Sequence, residues 1–145
     1  MSATADHAEE RTGLAQRLGF QPDQVVQELG FDDDTEQDLR EAIEVLTGTE
    51  LVDEDYEDVA DAVLLWFRDE DGDLTDELVD AIGLLEDDGM ICLLTPKTGR
   101  PGHIEPSDVQ DAAKTAGLNA SKSITVGDWS ASRLVTPKGA KQARR

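Results

Sequence analysis

Two uninterrupted apolar runs decide the fold: AVLLWF at Ala62–Phe67 and MICLL at Met90–Leu94. Each run has the length of a β-strand, and strands that are apolar at every position are typical of a parallel sheet covered on both faces. The segment between the runs is long enough for one crossover helix. We therefore expect Val63–Phe67 and Met90–Leu94 to be neighbouring central strands of one α/β sheet.

Helical patterns surround these two strands. Apolar residues between the runs recur at helical spacing, which predicts a helix over Asp73–Glu86. Pro106 suits the first turn of a second helix, over Glu105–Ala116. An earlier helix is predicted to start after Thr35, as its N-cap, and to stop at Gly48.

Outer strands complete the predicted sheet of four to six strands. Val25–Leu29 is a candidate first strand, and Ser121–Val126 with Arg133–Val135 predicts a closing antiparallel hairpin. Acidic residues 49–61 are left unassigned, apart from a possible short strand at Leu51–Val52. The predicted fold is one small Rossmann-like three-layer α/β sandwich over residues 12–136, mostly parallel, with that C-terminal hairpin. We expect a disordered N-terminus at 1–11 and a flexible basic tail at 137–145.

Charge is distributed very unevenly along the chain. The net charge is −20, and 29 of the 33 acidic residues lie before residue 91, whereas 9 of the 13 basic residues follow it. An acidic surface of this kind repels a phosphate backbone, so nucleic acid is an unfavourable partner. It would attract a basic protein, although solubility alone would also account for it.

Several classes of protein are disfavoured by composition. Cys92 is the one cysteine in the chain, which excludes an intramolecular disulfide and a Cys-rich zinc site. No apolar run has the length of a membrane span, and residues 1–10 lack the pattern of a secretory signal. We expect a cytoplasmic protein with no membrane contact.

Five segments together resemble a known family. They are Leu14–Phe20, Ala62–Trp66, Asp88–Lys97, Asp128–Ser130 and Arg133–Val135. The match is to a small actinobacterial family of unknown function and extends from about residue 12 to 138. The same segments look like the second half of a Rossmann-type methyltransferase. The resemblance implies that fold, and it implies no particular reaction.

The cofactor loop of such methyltransferases is not reproduced here. Their first strand is followed by a glycine-rich loop, because only glycine lets the backbone approach a cofactor closely. The corresponding stretch, Gly30–Asp34, has one glycine and three aspartates. We therefore expect neither S-adenosylmethionine nor a dinucleotide. Asp69–Asp73 resembles a calcium loop, but its spacing differs from an EF-hand, so we expect a turn and no metal.

The loop after the second apolar run is the candidate site. Lys97, Arg100 and His103 bring positive charge to the carboxyl edge of a central strand, where ligands bind in open α/β sheets. Asp69 and Asp71 are expected at the same edge, one strand away. The loop therefore predicts a salt bridge between adjacent loops, an anion-binding site, or a protein contact.

Other reactive side chains are assigned structural roles. Trp129 is either a hydrophobic cover over the sheet or an exposed partner anchor. Cys92 is expected to be an inert buried thiol. Ser107 or Ser130 with His103 lacks the setting of a nucleophile elbow, so no catalytic residue is predicted.

The first functional hypothesis is a non-catalytic acidic α/β module that acts through protein contacts, as a regulator or adaptor. The alternative is a sensor of a small molecule or anion that uses the 97–103 loop. A degenerate methyltransferase-like enzyme is the third.

Overall fold

A six-stranded sheet with helices on both faces organises residues 13–137, which are the residues that the computed structural model describes. The predictions made for 1–11 and for the tail beyond Pro137 lie outside them. The elements in chain order are a helical segment α1 at residues 13–17, β1 (Val26–Leu29), α2 (Gln37–Thr47), β2 (Ala60–Trp66), α3 (Leu74–Ile82), β3 (Leu85–Pro96), α4 (Pro106–Thr115), β4 (Asn119–Ala120), β5 (Ile124–Val126) and β6 (Trp129–Val135).

The two apolar runs are the central parallel pair. The strand order is β1-β2-β3-β6-β4, with β5 also paired to β6. Strands β2 and β3 are parallel, with Val63 opposite Ile91 and Leu65 opposite Leu93. Strand β6 pairs antiparallel with β5 as the predicted C-terminal hairpin, but it begins at Trp129 and not at Arg133. It also pairs antiparallel with β3 and therefore lies inside the sheet. The predicted α/β fold is confirmed.

Alternate side chains of the central strands build two separate cores. Leu64 and Trp66 pack with residues of α1 and α2 on one face. Val63 and Leu65 pack with residues of α3 and α4 on the other. All four side chains are at most 1% exposed. Both faces are covered, which explains why the strands are apolar at every position.

Two local predictions need correction. The helix predicted over Asp73–Glu86 ends at Ile82, because the Leu84 carbonyl accepts a hydrogen bond from Ala60 N at 2.9 Å and the chain turns into β3. The N-cap of α2 is Glu36, since the Thr35 hydroxyl donates to the Asp32 carbonyl instead. The possible short strand at Leu51–Val52 is present as a parallel bridge between Val52 and Gln27 of β1. Strand β4, two residues long, was not predicted.

The helices within residues 13–137 are all too short or too polar to cross a membrane. Glycine is required at the end of β1, where Gly30 has φ +80° and a Cβ would collide with the Trp66 carbonyl oxygen. This close approach brings the β1–α2 loop against the carboxyl end of β2, which lies next to the end of β3 that leads into the 97–103 loop.

Candidate functional site

The 97–103 loop follows β3 and carries the predicted cations. Its turns are closed by Arg100 N donating to the Lys97 carbonyl at 3.0 Å and His103 N donating to the Arg100 carbonyl at 3.2 Å. Gly99 and Gly102 adopt positive φ angles of 88° and 83°. The loop thus has a defined backbone that holds Lys97 and His103 on one side of the sheet edge.

Asp128, rather than an acid of the 69–73 turn, pairs with the predicted cations. Lys97 Nζ lies 3.9 Å from Asp128 Oδ1, and Arg100 Nη2 lies 3.5 Å from Asp128 Oδ2. The reason is topological: Trp129 is opposite Pro96 in the β3–β6 ladder, so the β5–β6 turn stands beside the loop. A salt bridge between adjacent loops is therefore present, with a different partner from the one expected.

The predicted acids have other roles. Asp69 N donates to the Gly102 carbonyl at 2.9 Å, so the two loops are adjacent as expected, through the backbone. Asp71 Oδ2 lies 3.3 Å from Arg68 Nη1. In the described part of the chain, neither acid forms an ion pair with a cation of the 97–103 loop. Asp69 and Asp71 are therefore not part of the candidate site that the structure shows.

Trp129 is buried and cannot serve as an exposed anchor. It is 2% exposed, its Nε1 donates to the Asp34 carbonyl at 3.0 Å, and its ring meets Trp66 edge-on with centroids 4.9 Å apart. The indole holds the β1–α2 loop against the sheet. The hydrophobic-cover interpretation is correct, and the partner-anchor interpretation is wrong.

His103 is oriented by two neighbours. Its Nδ1 lies 2.9 Å from the Pro96 carbonyl oxygen, which can only accept, so Nδ1 carries a proton. Its Nε2 lies 3.5 Å from Glu105 Oε2. Across residues 13–137 neither Ser107 nor Ser130 is hydrogen-bonded to this imidazole, so a serine–histidine pair receives no support.

Lys97 and His103 line a cavity of about 460 Å³ on the α4 side of the sheet. The lining side chains combine cations, hydroxyls, one amide and a small apolar patch, and all of them come from the part of the chain between residues 93 and 132. They are Leu93, Thr95, Lys97, Thr98, His103, Ile104, Pro106, Val109, Gln110, Ser121, Lys122, Ser123, Thr125, Ser130 and Ser132.

Strand register arranges part of the cavity floor as a row of hydroxyls. Ser130 of β6 is opposite Thr95 of β3 on one side and Thr125 of β5 on the other. Directly opposed residues in antiparallel strands have Cβ atoms about 5 Å apart. Ser132 lies two residues along β6, opposite Leu93. The four hydroxyls make no hydrogen bond to another described residue, so they are free to bond a ligand or water.

The cavity is electrostatically unlike the rest of the molecule. Lys97, Lys122 and His103 line it, and no carboxylate within residues 13–137 does. Asp128 lies 3.9 Å from Lys97 and Glu105 lies 3.5 Å from His103, but neither carboxylate belongs to the lining. In a chain with 33 acidic residues, this arrangement favours an anion, because an approaching negative charge meets ammonium and hydroxyl donors first.

Sequence reasoning found Lys97 and His103 and missed the hydroxyls and Lys122. A signal was present: serine and threonine alternate at Ser121, Ser123 and Thr125, and again at Ser130 and Ser132. Alternation of this kind places hydroxyls on one face of a strand. What the sequence did not reveal is that Ser130 lies opposite Thr95.

The carboxyl ends of β1 and β2 are filled by the chain's own side chains. Arg68 is 8% exposed and donates to Asp34 Oδ1 at 2.5 Å and to the Gly30 carbonyl at 3.0 Å. The hydrogen bond between Arg68 and Asp34 lowers the pKa of Asp34 and raises the pKa of Arg68. Arg68 therefore closes the space between the two strand ends.

A second ion pair lies beside β1. Glu28 accepts from Arg40 Nε at 2.7 Å, from Arg40 Nη2 at 2.8 Å and from Trp66 Nε1 at 2.9 Å. The guanidinium carbon of Arg40 also lies over the Phe31 ring, 4.4 Å from the ring centroid. Glu28, Phe31 and Arg40 line a groove beside β1, and the acidic residues Asp53–Asp55 line it as well. This edge of the sheet is therefore occupied by internal ion pairs.

The chain belongs to a family described as "Protein of unknown function (DUF3052)", whose model matches residues 15–138. Uncharacterised proteins of Mycobacterium bovis and Mycobacterium tuberculosis are 56% identical to it over 134 residues, which cover 92% of this chain and 83% of each relative. The actinobacterial resemblance drawn from the sequence is thus confirmed.

Solved structures with the same fold include several methyltransferases. The pyocyanin biosynthetic protein PhzM aligns with a TM-score of 0.64 and 12% identity over 88% of this chain, which spans about half of that protein, 54%. A precorrin-6y C5,15-methyltransferase from Geobacter metallireducens aligns with a TM-score of 0.58 and 14% identity. The alignment covers 88% of this chain and 87% of that protein. At these identities the likeness establishes the fold alone.

The residues present do not fit the cofactor that this fold implies, S-adenosylmethionine. A close approach of the cofactor to the backbone needs a glycine-rich loop after β1, and this chain offers Gly30 followed by Phe31 and three aspartates. Arg68 and Arg40 fill the adjacent space through the ion pairs described above. No chemistry is therefore assigned to that edge.

Proposed function

We propose that this member of the DUF3052 family is a non-catalytic protein that binds a small anionic ligand in the hydroxyl-lined cavity beside the 97–103 loop. One observation carries the proposal. The cavity is lined by Lys97, Lys122 and His103 without a carboxylate among the described residues, whereas most of the molecule is acidic. A cavity lined by positive side chains in a negatively charged protein is best explained as the binding site of an anion.

The size of the cavity supports a small molecule. Ligand pockets typically measure about 300–1,000 Å³ and combine apolar walls with a few polar groups. Here Leu93, Ile104 and Val109 supply an apolar wall, and the sheet supplies the polar floor. A protein segment would meet a cavity rather than a flat patch, so a compact ligand suits it better.

Ligand-induced stabilisation of the full chain tests this proposal. We expect the melting temperature to rise with one or more of inorganic phosphate, sulfate, citrate and sugar phosphates, all compared at equal ionic strength against chloride. A ligand at a hundred times its Kd adds about 2.7 kcal/mol to the free energy of unfolding. The Lys97→Gln/Lys122→Gln double variant should lose this rise.

The control is Lys114→Gln, at the other end of α4, where the side chain is exposed and does not line the cavity. It changes the net charge and should leave the ligand-induced rise intact. An equal rise in wild type and in the double variant would place binding elsewhere. No rise with any of these anions would contradict the proposal.

Protein contact through the acidic surface is a second candidate, favoured by the 29 acidic residues that precede residue 91. A negative field of this strength steers a basic partner toward the molecule. Affinity capture at low and at high salt tests it, because exposed charges are screened beyond about 10 Å at 0.1 M salt. A partner retained equally at both salt concentrations would argue against electrostatic recruitment.

A further inference from the structure

We infer that the ligand of this cavity is a phosphorylated polyol, such as a sugar phosphate; the inference rests on the proposed function and narrows it to one ligand class. Three features of the lining carry it: the type of cation, the hydroxyl row, and the lack of an aromatic platform.

The cations suit a phosphate better than a carboxylate. Lys97 at the end of β3 and Lys122 in the β4–β5 connection are both compact point charges on flexible stems, which bind tetrahedral oxyanions from several directions. The planar fork that matches a carboxylate is a guanidinium, and Arg100 does not line the cavity. Its guanidinium is directed to Asp128 instead, at 3.5 Å.

The two lysines of the lining set the positive charge that a bound ligand would neutralise. A phosphate monoester has two negative charges near neutral pH, because its second pKa is about 6. A single carboxylate would leave one ammonium without a counter-ion apart from Asp128, which lies 3.9 Å from Lys97. The cation set is therefore matched best by a dianion.

The hydroxyl row suits a ligand that has hydroxyls of its own. Thr95, Ser130 and Thr125 are aligned across three strands, and each hydroxyl can donate one hydrogen bond and accept others. Thr95 is 4% exposed and Ser132 is 8% exposed. A polyol replaces the water that such buried hydroxyls need, whereas an apolar ligand would leave them unpaired at a cost.

The lining lacks the surface on which a nucleobase stacks. None of the fifteen lining residues is phenylalanine, tyrosine or tryptophan, and recognition of bases relies strongly on aromatic stacking. The apolar wall of Leu93, Ile104 and Val109 is small and aliphatic. A cavity of about 460 Å³ accommodates a molecule the size of a hexose phosphate without requiring a ring stack.

Isothermal titration calorimetry on the full chain tests the inference with four probes: glucose 6-phosphate, inorganic phosphate, gluconate and glucose. Gluconate keeps the polyol and replaces the phosphate by a carboxylate. We expect glucose 6-phosphate to bind at least about tenfold more tightly than each other probe, which is equivalent to about 1.4 kcal/mol.

The floor is tested by the Thr125→Val/Ser130→Ala double variant. The double variant should lower the affinity for glucose 6-phosphate about tenfold or more. The affinity for inorganic phosphate should stay unchanged, because Lys97 and Lys122 are retained. Thr115→Val is the matched control, since Thr115 lies at the end of α4 outside the cavity. Circular dichroism melting confirms that each variant is folded.

The outcomes separate the two proposals. Gluconate binding as tightly as glucose 6-phosphate would overturn the phosphate assignment while leaving anion binding in place. Equal affinities for inorganic phosphate and glucose 6-phosphate, unaffected by the floor variant, would overturn the polyol assignment. If glucose 6-phosphate, inorganic phosphate and gluconate all fail to bind, the inference is wrong. If sulfate and citrate also fail to raise the melting temperature, the proposed function is wrong as well.

Discussion

Glu36 is an acidic residue whose environment opposes its charge. It lies against Gly127 of the β5–β6 turn, where any Cβ would collide with its carboxylate. Burial, followed by the negative charges of Asp38 and Asp128, raises the pKa of Glu36 above 4.5. A carboxyl group whose pKa is raised on folding binds its proton more tightly in the folded state, so it favours folding at low pH and loses that contribution as pH rises.

Replacing Glu36 with glutamine should therefore stabilise the protein at neutral pH. We expect Glu36→Gln to have a higher melting temperature than wild type at pH 7, with a difference that shrinks as the pH is lowered into the acidic range and the Glu36 carboxyl group takes up its proton. Melting curves measured across this range provide the check, with exposed Glu57→Gln as the control. A difference independent of pH would mean that packing, rather than charge, sets the effect.

At the scale of elements, strand β2 is the centre of the sheet. It lies between β1 and β3, and its Leu65 is 1% exposed within the core under α3 and α4. Leu65→Ala should lower the free energy of unfolding by about 2–5 kcal/mol, because a cavity between a sheet and two helices cannot collapse fully.

Denaturant unfolding measures this loss. Val79→Ala on α3 is the control, since Val79 is 51% exposed and should change stability by no more than about 0.5 kcal/mol. A loss of less than about 1 kcal/mol for Leu65→Ala would contradict its place in the core.

At the scale of the whole molecule, net charge opposes the compact state. A charge of −20 on 145 residues produces self-repulsion, which salt screens. The melting temperature should therefore rise as sodium chloride is increased from low to moderate concentration. A similar rise in sodium acetate at equal ionic strength would identify screening, rather than occupancy of the cavity, as the cause. A melting temperature that does not change with salt would show that the acids are already neutralised by pairing.

Local patterns in the sequence determined most of the architecture. The apolar runs Ala62–Phe67 and Met90–Leu94 predicted the central parallel strands, because a strand with no polar position must be covered on both faces. Gly48 and Asp73 were predicted as helix boundaries, since positive φ and capping are properties of single residues and their near neighbours. The charge reversal after residue 90 was likewise readable, and the cavity lies within that part of the chain.

Tertiary structure alone decided which side chains meet. The insertion of β6 beside β3 brought Asp128 to Lys97 and Arg100, buried Trp129, and aligned Ser130 with Thr95. These contacts join residues that are distant in sequence, and their register follows from strand pairing, to which no local periodicity points. The loop that carries the site was therefore predictable from the sequence, whereas the hydroxyl floor opposite it depended on how the last strands pair.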